Sequence, residues 1–148
     1  MASLTENYLL AEQLIIDRLR DQVPELAFID GSRSVQEVVA RTVPTPAALV
    51  LFGGDTVKAS DSGVMGAIQV VDQKWLIELV VRDDWAIESG YGERLQAGFL
   101  ISKVIKALAG WFPSDEHREM RRTQAAVPVY EQGEGFYQLA FFTEVVTQ

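Results

Sequence analysis

From Ile68 to Asp83 (IQVVDQKWLIELVVRD) polar and apolar residues alternate for about twice the length of an ordinary strand. Successive side chains of a strand point to opposite faces. One face therefore carries Val71, Trp75, Ile77, Leu79 and Val81, and the other Asp72, Lys74, Glu78 and Arg82, with Val70, Leu76 and Val80 among them. A long strand with one dry and one charged face reads as scaffolding for an assembly rather than as the wall of a catalytic pocket.

The rest of the chain alternates helical and extended patterns. Leu9, Leu10, Leu14, Ile15, Leu19 and Val23 form one apolar stripe of a first helix. Ser3 and Glu6 have the spacing of a capping box, so this helix is expected to start near Leu4 and to stop before Pro24. Leu26 to Ile29 reads as a short extended piece ending in the turn Asp30-Gly31-Ser32. A second box, Ser34 with Glu37, opens a short helix bearing Val35, Val38 and Val39, which Pro44 and Pro46 end. Ala47 to Phe52 is apolar on both faces, as in a central strand. Gly53 and Gly54 are expected to release the chain into Asp55 to Gly66, a loop or an extended hairpin tip.

Beyond the long strand, Asp84 to Gly92 reads as a loop with an exposed Trp85. A third helix, Glu93 to Leu108, repeats through Leu95, Phe99, Ser102, Ile105 and Leu108, with Gly110 as its cap and Pro113 as its stop. It is expected to lie across the dry face, burying Trp75, Ile77 and Leu79 against Phe99 and Ile105. Ser114 to Gln124 is charged and without period. Ala126 to Tyr130 and Phe136 to Val146 are extended runs joined by the turn Gln132-Gly133-Glu134-Gly135. The order predicts a single α+β domain over 1–148: an antiparallel or mixed sheet of about four to five strands, with helices packed mainly on one face.

Composition narrows the chemistry. A chain of 148 residues buries enough surface to fold without a staple, and it contains no cysteine, hence no disulfide, thiolate metal site or thiol nucleophile. No leader-like segment is seen, and the longest apolar run, Ala47 to Phe52, is far below the roughly 20 residues of a membrane span, so a soluble, unprocessed protein is expected. The net charge of −8 argues against a nucleic-acid grip. The basic cluster Arg118, Arg121 and Arg122 is interrupted by Glu119 and reads as a solvated segment or a protein contact. His117, the only histidine, sits among charged neighbours and reads as an exposed loop residue. No G-x-S-x-G elbow, dinucleotide fingerprint or Walker pattern is present. Gly90-Tyr91-Gly92 reads as a turn, and the aromatics Phe136, Tyr137, Phe141 and Phe142 as core or interface. Asp83, Asp84 and Glu88 are the one acidic group at a strand end that a hard metal would accept.

The opening helix LLAEQLIIDRLRDQV, the strand AALVLFGGD, the strand QVVDQKWLIELVVRD and the closing QLAFFTEVV together resemble the tail terminator proteins of long-tailed bacteriophages, including those of Mu-like phages. The resemblance covers most of the chain. It implies a structural virion protein, assembled in the host cytoplasm, that caps the head-proximal end of the tail tube as a ring, usually hexameric. Such a ring stops tube polymerisation and offers a surface to head-completion proteins. The implied partners are other copies of the chain, the tube protein and a connector, with DNA only as passing cargo. No cofactor, metal or catalytic residue is implied. An acidic lumen would repel phosphate and let the genome slide. Under this resemblance Asp72, Lys74, Glu78, Arg82, Trp85, Lys58, Arg118, Arg121 and Arg122 are candidates for a subunit or tube interface. Two alternatives stand beside it: another head-tail connector, head-completion or tube-like protein, and a small metal-assisted enzyme using Asp83, Asp84 and Glu88.

Overall fold

A computed structural model describes residues 3–40, 42–58, 68–82, 91–131 and 133–147. In chain order the elements are α1 (Leu10–Gln22), β1 (Phe28–Ser32), α2 (Val35–Ala40), β2 (Ala47–Val57), β3 (Gln69–Arg82), α3 (Tyr91–Leu108), β4 (Arg121–Thr123), β5 (Val129–Glu131) and β6 (Glu134–Thr147). The long alternating segment is β3. It lies at the centre of one mixed sheet of order β1-β2-β3-β6-β4, with β5 also on the outer edge of β6. Among the described residues only β1 and β2 pair in parallel; β3 and β6 are antiparallel over their full 14 residues, from Gln69 opposite Thr147 to Arg82 opposite Glu134. The architecture is α+β, as expected. Among the described residues it has six strands rather than four or five: β5 falls in the expected extended run Ala126 to Tyr130, whereas β4, three residues long, is too short to show alternation.

The dry face of β3 is as expected: Trp75, Ile77, Leu79 and Val81 are fully buried. Their neighbours in register, Ala48 and Val50 on β2 and Tyr137, Leu139 and Phe141 on β6, complete a core closed by α1 through Ala11, Ile15, Ile16 and Leu19. The third helix closes it through Ala97, Leu100, Val104, Ala107 and Leu108. Buried side chains of this size each contribute about 1.5–3 kcal/mol. The second face is not bare. Its half near Val80 is covered by α2, whose Val38 packs with Ala47, Leu49, Leu51, Val80 and Phe136.

The third helix sits at a different rotation from the one its spacing suggested. Ile105 packs against the core, but Phe99 is 56 % exposed and Leu95 58 %. Apolar residues occupy so much of its circumference that periodicity alone sets no unique phase. Leu100, Val104 and Ala107 win because together they present a continuous inward row at spacings of four and three.

Two boundaries also move. Ser3 and Glu6 do form half of a box, with the Ser3 amide donating to Glu6 Oε2 at 3.1 Å, but they close a separate turn and α1 begins only at Leu10. The Asn7 side chain takes the Leu9 amide (3.0 Å), which competes with helix continuation. The turn still docks the amino terminus, since Leu4 packs on Val71 and Val145. Of the second box the capping half forms, the Glu37 amide donating to Ser34 Oγ at 3.1 Å, while the Glu37 carboxylate accepts from Arg33 Nε at 2.9 Å. Gly53 and Gly54 do not end β2. Gly54 adopts φ +88°, the register skips between Phe52 and Asp55, and the strand resumes to Val57, so the glycines build a bulge. Asp55 therefore belongs to the hairpin arm, and residues 59–66 of the expected tip lie outside the described residues.

Candidate functional site

The charged face of β3 divides at Leu76. Toward Val80 it is covered; toward Val70 it is open. On the open half, register places Glu144 of β6 directly opposite Asp72, and Phe142 opposite Lys74. Like charges in a direct cross-strand pair repel. Lys58, whose amide extends β2 by donating to the Val70 carbonyl at 2.8 Å, offsets this. Its Nζ contacts Glu144 Oε2 and lies 3.3 Å from Asp72 Oδ1, and these contacts, the Glu144 bond foremost, hold the ammonium pKa above its ordinary value. Across β6, Arg121 Nε donates to Glu119 Oε1 at 2.9 Å, and that bond holds the Glu119 carboxyl below its usual range. Lys58, Arg118, Glu119, Arg121, Phe142 and Glu144 line a groove of about 300 Å³. Charges of both signs line it together with Phe142. Such a surface suits a protein partner better than a polyanion.

Of the residues expected to form an interface, Lys58, Asp72, Lys74, Arg118 and Arg121 fall on or beside this open half-face. Arg122 alternates to the other side, opposite Phe141, and is exposed. Arg82 is exposed at the far end of β3, opposite Glu134. Trp85 lies outside the described residues, as do Asp83, Asp84, Glu88 and Gly90. Among the described residues, no group of three or more acidic or histidine side chains is placed to hold a metal ion. Phe142, read from the sequence as core or interface, lines the groove, whereas Glu119 and Glu144 were missed. Glu144 is invisible until β6 is registered on β3, and Glu119 lies in a segment with no period.

Glu78 departs from a surface role in this subunit. It is 4 % exposed, flanked in register by Leu49 and Gln138, because the sheet face there is the covered one. Gln138 Nε2 donates to Glu78 Oε2 at 3.2 Å. Burial nevertheless raises the carboxyl pKa above its usual value, the Gln138 bond only partly opposing it. A carboxyl raised in the folded state binds its proton more tightly there, so stability falls as pH rises from the unfolded pKa through the folded one. Glu78→Gln is thus expected to raise stability at pH 7 by about 1 kcal/mol, or roughly 2–4 °C in Tm. Thermal melts should show the gain vanishing below pH 4; a difference that does not change with pH contradicts this account.

His117 is also not the exposed residue its neighbours suggested. It is 3 % exposed and bridges to Val145 of β6, with Nδ1 2.6 Å from Ser114 Oγ. Burial holds its pKa below the ordinary value. In the extended segment 117–120, His117 and Met120 turn inward while Arg118 stays exposed. Glu116 accepts the Leu4 amide at 3.0 Å. This segment therefore ties the amino-terminal turn to β6, and the single histidine is a packing residue.

No helix among the described residues is long and apolar enough to cross a membrane. No curated protein matches the chain. The family model described as phage tail terminator protein matches residues 5–148, which includes every helix and strand of the sheet and both sides of the groove. A match over nearly the whole chain places this protein in the phage tail terminator family, a family of structural proteins of the virion tail.

Proposed function

We propose that the chain closes the head-proximal end of a phage tail tube as a homo-oligomeric ring, hexameric by its resemblance, and there stops polymerisation and receives the head-completion protein. The observation that carries this is the family match over residues 5–148. Two physical features support it. The sheet is shielded by helices on one face and on half of the other, leaving a strip with a mixed-charge groove as a contact surface. The net charge of −8 suits a lumen through which DNA passes without adhering. Assembly takes place in the host cytoplasm and the mature ring resides at the neck.

Position on the virion tests this. Gold-labelled antibody against an affinity tag on the chain is expected to mark the neck of each tail once. Label distributed along the tail would instead identify a tube-like component, and label at the distal tip would remove the proposal.

A further inference from the structure

Arg118 and Glu119 line the mixed-charge groove, and the segment that carries them is pinned from within by the chain's only histidine. His117 bridges to Val145 of β6, whose apolar partners Leu4 and Val71 close over the same end of the sheet. One residue on, the Arg118 amide donates to the Glu144 carbonyl at 3.0 Å and Thr143 Oγ1 donates to the Arg118 carbonyl at 2.7 Å. The buried ring is thus the inner anchor of a strip whose outer side is the groove.

That anchor is suited to a neutral ring only. Nδ1 lies 2.6 Å from Ser114 Oγ, an oxygen that also accepts the Glu116 amide at 3.1 Å. Nε2 is buried and meets no hydrogen-bond partner among the described residues. Neutral imidazole leaves one uncharged group unmet there, whereas a charged ring would bring a second N–H donor and a positive charge to a place without an acceptor.

The surroundings offer little compensation. On its own segment Asp115 and Arg118 are exposed, and the one charge that acts on the ring, the Glu116 carboxylate, is engaged by the Leu4 amide at 3.0 Å. From β6 the ring meets Val145, while Glu144 and its cross-strand partner Asp72 serve the opposite face with Lys58. In the amino-terminal turn Glu6 takes the Ser3 amide, and the Tyr8 hydroxyl donates to Asp55 at 2.6 Å. Burial therefore outweighs Glu116 and holds the ring's pKa below its ordinary value near 6.5. An opened segment binds the proton more tightly than the closed one. Closure is then fully stable above that ordinary value and weakens as pH falls from it toward the folded value.

We propose that His117 is the positioning residue of the groove: neutral, it holds residues 114–120 and the amino-terminal turn against β6, and charged, it releases them, so that mild acid dismantles the docking surface. The consequence for docking rests on the reading of the groove as a contact surface of a tail cap. The release itself is a property of the subunit.

Hydrogen exchange of the full chain, corrected for the intrinsic effect of pH, tests the release at about pH 7.5 and 5.5. Protection of the Leu4 and Arg118 amides is expected to fall by about tenfold at the lower value, one pH unit below the ordinary histidine pKa, while the amides of β3 are unchanged. His117→Gln keeps a polar group beside Ser114 but cannot charge, and its protection is expected to be the same at both values. The ring carbon shifts of the wild type, unambiguous for a single histidine, supply a readout that needs no variant, and they are expected to show a ring that stays neutral in the closed form at pH 5.5. A ring that titrates near 6.5 without loss of protection overturns the proposal, as does loss shared equally by β3. Tube capping by the wild type is expected to weaken at pH 5.5 and that by His117→Gln to be unaffected. Capping equal at both values despite the release overturns the docking consequence. A wild type that caps at neither value brings down the terminator reading, a failure distinguishable because the exchange result does not depend on tubes.

Discussion

Trp75→Ala is expected to lower the free energy of unfolding by about 3–5 kcal/mol, a large fraction of the roughly 5–15 kcal/mol that holds a domain of this kind together. Trp75 is fully buried at the middle of the central strand, its ring centroid 5.2 Å from that of Phe52 and its backbone opposite Phe141. Two losses add. Truncation opens a cavity that the flanking strands, paired along their length, cannot collapse. It also removes the indole N–H that Gln73 Oε1 accepts at 3.2 Å. Gln73 is itself fully buried and donates to the Tyr8 carbonyl at 2.9 Å, so an unpaired amide oxygen would remain in the core beside the amino-terminal segment. Trp75→Phe keeps most of the volume and is expected to cost about 1–3 kcal/mol. Urea unfolding followed by circular dichroism measures both. A loss below about 1 kcal/mol for the alanine variant contradicts the packing described here.

Lys58→Glu is expected to have the opposite profile, a folded subunit that no longer caps tubes. The cation stands between Asp72 and Glu144, which face each other across β3 and β6. Reversal would gather three carboxylates at one end of the open half-face and change the groove from mixed to strongly acidic. All three side chains are partly exposed, so water screens much of the repulsion within the subunit. A partner docking on that strip would desolvate them, and there the repulsion is at its largest. Lys58→Met, which leaves the two acids without their bridge, is expected to weaken capping less. The check is far-ultraviolet circular dichroism beside the length distribution of tubes assembled with each variant. Unchanged capping by Lys58→Glu would remove the open half-face from the interface.

What could be read from the residues and what could not divide along physical lines. The dry face of β3 was legible because a period of two admits only two phases, and one of them would bury Asp72, Lys74 and Arg82. The rotation of α3 was not, because Leu95, Phe99, Leu100, Ile101, Val104 and Ile105 span too wide an arc to choose a side. The apolar residues left outside are Leu95 and Phe99, and Lys103 Nζ lies over the Phe99 ring, 5.0 Å from its centroid. Asp72, Lys74 and Lys58 were legible as surface charges, whereas their partner Glu144 depends on a pairing 72 residues away in the chain. Glu78 and His117 misled for one reason. A single polar residue turned inward beneath a covering element looks, in sequence, like its exposed neighbours.

Arrest of tube growth tests the central claim most directly. Purified tube protein should be polymerised with increasing amounts of the chain, and tube lengths measured by electron microscopy together with density at the tube ends. The account predicts that tubes stop growing at sub-stoichiometric ratios, each bearing a ring at one end only. Tubes of unchanged length with bare ends, or protein incorporated along their whole length, would contradict it.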